Sequence, residues 1–223
     1  FVPQSDLRQT TLCLEHYWYP NERGWSQAAV GSDWDHTEDH AGNRLDQILR
    51  VWGWANGPRQ SFLQLTIQGG DQFYAGRTFA ADRATFHGEV QALPSVFLVL
   101  EATGGDQIDF ANAAPADQLR LDPGLRLDLG RHLRVNVDHS LERLSVGGRD
   151  LYTANLTQLR ATYQFNIRAF LRVITQFLDI ERDAGLYKRP VEANDRRLFN
   201  QVLFSFKVNP QTVFFLGYSD TAL

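Results

Sequence analysis

The densest group of chemically capable side chains is Asp33, Asp35, His36, Glu38, Asp39 and His40. Carboxylates and imidazoles this close together could hold a divalent cation. Asp33 and Asp35 share a parity if the segment is a strand, and the rest lack the glycine-centred spacing of a calcium loop. The segment is therefore read as a solvated acidic loop, and no metal site is assigned. Asp138, His139 and Ser140 offer the residue types of a serine hydrolase. Adjacent residues on a strand point to opposite faces, so His139 cannot take the proton of Ser140. Ser145 has the parity of His139 but lies about 20 Å along the strand at ~3.3 Å per residue. No catalytic residue is assigned. Gly69-Gly70, Gly104-Gly105 and Gly147-Gly148 read as loop glycines rather than phosphate cradles, because no helix follows them. No cofactor is expected.

A third set is spread more widely: Arg120, Arg126, Asp128, Arg134, Asp138, Arg160, Arg172 and Lys207. If these side chains share the inner face of a closed sheet, they form a ladder of mixed charge across neighbouring strands. Such a ladder either sets the selectivity of a water-filled pore or only fills and stiffens the interior as a neutralised network.

The elements that must position this set follow from period-two patterning. From Gln118 to Leu141, Leu119, Leu121, Leu125, Leu127 and Leu129 alternate with Arg120, Asp122, Arg126 and Asp128. Gly130, Arg131 and His132 make a tight turn, and Val135 and Val137 resume the apolar row. A strand that crosses a bilayer needs roughly 9–11 residues with one apolar and one polar face. The hairpin fits that pattern, with the leucines and valines facing lipid and the charges facing inward. Leu127→Arg is expected to cost ~2–4 kcal/mol if that position lies at the bilayer midplane, and Asp128→Asn little.

The rest of the chain repeats the pattern. Short turns are expected near residues 22, 58, 94, 132, 167 and 210, at intervals of about 35 to 43 residues. Longer loops are expected between them, notably from Gly69 to about Asp82, Gly104 to Asp117 and Glu181 to Asp195. Tyr17, Trp18, Tyr19, Trp25, Trp52, Trp54 and Phe62 flank the first two turns, and Tyr163, Phe165, Phe170, Phe204, Phe206, Phe214 and Phe215 the last two. Amphipathic rings at strand ends suit a headgroup girdle.

Composition excludes several classes. A net charge of −4 gives no basis for nucleic-acid binding. The single cysteine, Cys13, rules out an internal disulfide framework. No run of about 18 apolar residues exists, so no transmembrane helix is expected, a fact that says nothing of barrels.

Three stretches carry a family resemblance: TANLTQLRATYQFN (Thr153 to Asn166), FLRVITQFLDIERD (Phe170 to Asp183) and LFSFKVNPQTVFFLGYSD (Leu203 to Asp220). They resemble a family of bacterial outer-membrane β-barrels that forms a domain of unknown function. Its full-length members usually carry an N-terminal domain similar to family-nine carbohydrate-binding modules. The resemblance covers the last third of the chain and extends upstream by strand spacing only. It implies a Gram-negative outer-membrane location and no particular reaction. This chain lacks both that carbohydrate-binding domain and a last strand ending on an aromatic residue. It is therefore expected to be a barrel fragment over residues 1–223, incomplete at both ends.

The expected architecture is all-β, an antiparallel up-and-down transmembrane barrel with about twelve visible strands of a larger even number. The expected role is non-enzymatic: porin-like transport, or glycan-associated transport and anchoring at the cell surface. Its partners are the outer-membrane bilayer and, through the absent domain, glycans. The alternatives are a soluble carbohydrate-binding β-sandwich, which would bury the Leu119–Leu129 stripe against a second sheet, and an outer-membrane enzyme acting on glycan or lipid.

Overall fold

The computed structural model describes residues 6–20, 24–209 and 211–222. The expected turns near 22 and 210 fall partly outside those residues. Thirteen strands make one antiparallel sheet: β1 (Leu7–Trp18), β2 (Gln27–Asp39), β3 (Arg44–Gly57), β4 (Ser61–Tyr74), β5 (Arg77–Ala80), β6 (Arg83–Leu93), β7 (Val96–Asp109), β8 (Ala114–Leu129), β9 (Leu133–Val146), β10 (Arg149–Asn166), β11 (Ala169–Arg182), β12 (Asn194–Asn209) and β13 (Thr212–Ala222). Each strand pairs with its chain neighbours in an up-and-down meander, and β5 alone lies off the path, beside β4. β5 and β6 meet β4 in a single register: Asp71 opposes Ala80, and Gln68 opposes Arg83. They are one strand interrupted at Ala81 and Asp82, so the meander has twelve members. Among the described residues, β1 and β13 each pair on one side only.

The expected difference between turns and loops is mostly a difference in strand length. β4 runs through Gly69-Gly70 to Tyr74, and β7 runs through Gly104-Gly105 to Asp109. These glycine pairs are not in loops. Gly70 (φ +148°) and Gly105 (φ +137°) lie against neighbouring strands, where an added Cβ would sit 2.1 Å from the Gln47 carbonyl oxygen and 2.2 Å from that of Asp82. Only a residue without a Cβ lets the backbones approach so closely. Gly147 and Gly148 do form a tight turn, with φ of +60° and +78°. The segment after β11 is a true loop, containing the 3-10 turn Ala184–Leu186.

No large side chain is fully buried among the described residues. The buried apolar residues are few, and half of them are alanines: Ala29, Ala81, Ala116 and Ala169. On β4, Leu63, Leu65 and Ile67 are 41%, 49% and 57% exposed, while the intervening Gln64 and Thr66 are more shielded. In water this order is reversed. No second sheet covers the apolar face among the described residues, so the sandwich alternative lacks its other half. One small apolar cluster forms at the loop end of the charged face. There Ala116, Leu144 and Leu151 receive Leu186 and Tyr187 from the loop after β11. Asn112, in the loop after β7, donates to the Leu186 carbonyl, and Lys188 Nζ donates to the Asn112 carbonyl at 2.8 Å. Loops separated by four strands thus meet over the charged face, which makes that face the concave one.

Candidate functional site

The concave face carries the side chains that could do chemistry, and strand register decides which of them meet. Leu119, Leu121, Leu125, Leu127, Leu129, Val135 and Val137 lie together on the opposite, convex face, half-exposed or exposed. Along β8 the convex apolar row runs from Leu119 to Leu129, about 33 Å of strand at ~3.3 Å per residue. With the ~40° tilt of a membrane strand, that is about 25 Å of height. Leu127 sits two residues from the end of β8, so mid-height falls nearer Leu125, not at Leu127. From β4 to β12 the charged side chains of the convex parity, such as Asp71, Arg143, Asp179 and Arg196, cluster at the loop ends of their strands.

On the concave face the charges separate into three zones. In the first, Arg50 bridges two carboxylates of β2, with Nη1 2.7 Å from Asp33 and 2.6 Å from Asp35. Thr11 Oγ1 also donates to Asp35. His36 and Glu38 turn to the other face, 3.7 Å from each other, and Asp39 accepts from Asn43 at the strand end. His40 lies beyond the strand in the turn. The six residues from Asp33 to His40 therefore do not converge on one point.

In the second zone, β6 to β9 bring together His87, Glu101, Asp122 and Asp138 around a concavity of about 360 Å³. Arg120 belongs here, paired with Asp122 at 2.7 Å on its own strand and aligned with Glu142 on β9. Pro123 has no N–H for the ladder, and the Asp122–Ser140 and Pro123–His139 pairings are missing between Leu121–Leu141 and Gly124–Asp138. His139 lies on the convex parity and its Nδ1 is 2.8 Å from Thr157 Oγ1, away from Ser140.

The third zone lies toward the short-turn end and is almost purely basic. Two register rows define it: Arg126, Asn136 and Arg160 on β8 to β10, and Asp128, Arg134, Thr162 and Arg172 on β8 to β11. Together with Arg131 at the β8–β9 turn, these arginines line a concavity of about 540 Å³. Asp128 is the nearby acid, 2.6 Å from Arg134 and 3.8 Å from Arg126. The Arg126 guanidinium lies over the Phe97 ring, 4.6 Å from its centroid. Lys207 is exposed near the end of β12 and does not join the cluster. The ladder expected from the sequence is thus split rather than mixed: Arg120 and Asp138 fall in the acidic zone, Arg126, Arg134, Arg160 and Arg172 in the basic one.

A feature that the sequence reading assigned differently is an aromatic row on the concave face. Tyr17, Trp54, Phe62 and His87 contact one another edge-on or tilted, with centroids 6.1, 6.0 and 5.8 Å apart in turn. Trp52 shares that parity and covers Gly31, where an added Cβ would lie 2.3 Å from the ring. Tyr17 near the first turn and Trp52, Trp54 and Phe62 near the second face inward, whereas a headgroup girdle would need them outward. Tyr163, Phe165 and Phe206 do point to the convex side and are 42%, 49% and 38% exposed. Pairing parity with Asp33 and Gln64 would have revealed the inward rings, but only with the strand register in hand.

No family model matches the chain, and no curated protein does. The family resemblance therefore rests on the three stretches of sequence alone. Among solved structures the chain is similar to OmpT, an outer membrane protein of Vibrio cholerae. The in-vitro folded trimer form aligns with a TM-score of 0.46 and 10% identity over 97% of this chain and 87% of that one. A second in-vitro folded OmpT structure gives 0.47 and 9% over 97% and 86%. An OmpT variant lacking loop L8 gives 0.45 and 10% over 97% and 93%. A likeness this distant says nothing about the chemistry of the concave face.

Proposed function

We propose that this chain is the wall of a bacterial outer-membrane β-barrel whose convex leucine row meets lipid and whose charged face lines a water-filled interior. The role is non-enzymatic passage of small charged solutes. The observation that carries the reading is the inverted exposure on β4, where Leu63, Leu65 and Ile67 stand open while Gln64 and Thr66 are shielded. In water, each of these half-exposed side chains forgoes roughly half of the ~1.5–3 kcal/mol that full burial contributes; against acyl chains that loss disappears. The meander supplies what a spanning strand requires, since its internal strands have backbone groups paired on both sides. A glycan-associated anchoring role would belong to a domain outside this chain. Reconstitution into a planar bilayer tests the proposal. Discrete conductance steps from protein that folds only with detergent or lipid support it. Protein that stays folded and monodisperse without either overturns it.

A further inference from the structure

We infer that Arg126, Arg160 and Arg172 form a binding site for a multivalent oxyanion, of which inorganic phosphate is the simplest. The inference rests on the reading of the concave face as a water-filled interior.

The same wall provides the contrast. Arg50 is neutralised by Asp33 and Asp35, Arg120 by Asp122, and Arg196 by Asp179. Arg160 and Arg172 have no carboxylate within ion-pair distance among the described residues, and the Nε atoms of Arg126, Arg160 and Arg172 are buried without a hydrogen-bond partner. Arg83 has a similarly unpartnered Nε but donates through Nη2 to the Asp106 carbonyl, whereas Arg160 and Arg172 find no acceptor among the described residues; unpaired like charges repel, and a buried N–H without an acceptor is costly. Asp128 is mostly committed to Arg134. The register places Arg126 and Arg160 two strands apart, about 9–10 Å, and Arg172 diagonally beside Arg160 on the next strand, all across one concavity. Arginine side chains are long enough to converge from that spacing on a single group.

The guanidinium fork selects the ligand class. It matches two oxygens of a phosphate or carboxylate side by side, whereas a halide can use only one direction of approach. Asn136 and Thr162, between the arginines in the two rows, add neutral donors at the floor. At about 540 Å³ the concavity holds a phosphate with its water, or a phosphate-bearing solute of sugar size. The apolar row is on the other face of the sheet, so the ligand is a solute and not a lipid headgroup.

The test is equilibrium dialysis of labelled inorganic phosphate against the full chain folded in detergent at low ionic strength. Saturable binding is expected, weakened about tenfold or more by the Arg160→Gln/Arg172→Gln pair and unchanged by Arg8→Gln on the convex face. Folding of each variant is checked by strand circular dichroism and by the gel shift on boiling. Glycerol phosphate added in solution should compete, and vesicles bearing phosphatidic acid at the same phosphate concentration should not. No retention by the wild type, retention by the folded double variant, an equal loss in Arg8→Gln, or competition by the vesicles alone would each overturn the site. A bilayer that stays silent while phosphate is retained counts against the pore and leaves the site standing. Conductance without retained phosphate does the reverse.

Discussion

Leu125→Arg gives the sharpest test of which face meets lipid. Leu125 lies on the convex parity of β8, four residues from Leu129 at the short-turn end and six from Leu119 at the other. At ~3.3 Å per residue and a tilt near 40°, that places it about 10 Å from one rim and about 15 Å from the other. An arginine near the bilayer midplane of a barrel costs roughly 2–4 kcal/mol, and one near the interface roughly 0–1 kcal/mol. Leu125→Arg should therefore cost about 2–4 kcal/mol and Leu129→Arg less than about 1 kcal/mol. If this face met water instead, a leucine with no covering layer could become arginine at either place for about 0.5 kcal/mol or less. The assay is reversible guanidinium unfolding in lipid vesicles, followed by tryptophan fluorescence. Equal costs at the two positions, or negligible costs at both, would refute the depth argument and the facing with it.

Other expectations concern the strand extensions, the loop and the basic zone. Gly70→Ala and Gly105→Ala should each destabilise by about 1–3 kcal/mol in the same unfolding assay, since each Cβ would press on a neighbouring strand's backbone at positive φ. Burial pushes the Tyr187 phenol above its usual value; Arg182 opposes that shift and Asp109 adds to it. The folded loop therefore prefers the neutral phenol. Its packing should be fully present below the ordinary tyrosine pKa of about 10 and be lost as pH rises through the higher folded-state value. Absorbance titration of the phenol together with protease cleavage of residues 183–193 reads this directly; cleavage that is unchanged from pH 8 to pH 12 would speak against it. Asp128→Asn should change stability by no more than about 1 kcal/mol, because Arg134, its close partner, is 58% exposed and the pair is screened by water. The same change should shift the reversal potential of the reconstituted protein toward anion preference, and an unshifted potential would mean that ions pass elsewhere.

Much of the wall is legible in the sequence because each residue on such a strand answers to a single solvent. Leu119 to Leu129 alternates without error, and the strands fall where that alternation is found. The alternation fades where both faces are polar. Gly69-Gly70 and Gly104-Gly105 look like loop residues for that reason, although neighbouring strands hold them in the ladder. The face of each arginine also follows from parity. Its companions do not, because the meeting of Arg126 with Arg160, and of Arg134 with Arg172, depends on the stagger of three hairpins. A one-residue slip in any of them would turn part of the cluster outward. Trp52 and Trp54 were read by composition, which places rings near a turn but cannot say on which side.

The most direct measurement is solvent accessibility residue by residue. In a Cys13→Ser background, Leu65→Cys, Leu125→Cys, Gln64→Cys and Arg126→Cys can each carry a nitroxide in a reconstituted bilayer. Relaxation at 65 and 125 should respond to oxygen dissolved in lipid and not to a water-soluble nickel chelate, with the opposite at 64 and 126. Nickel access at all four positions, or the reversed assignment, would contradict a lipid-facing leucine row around a watery interior.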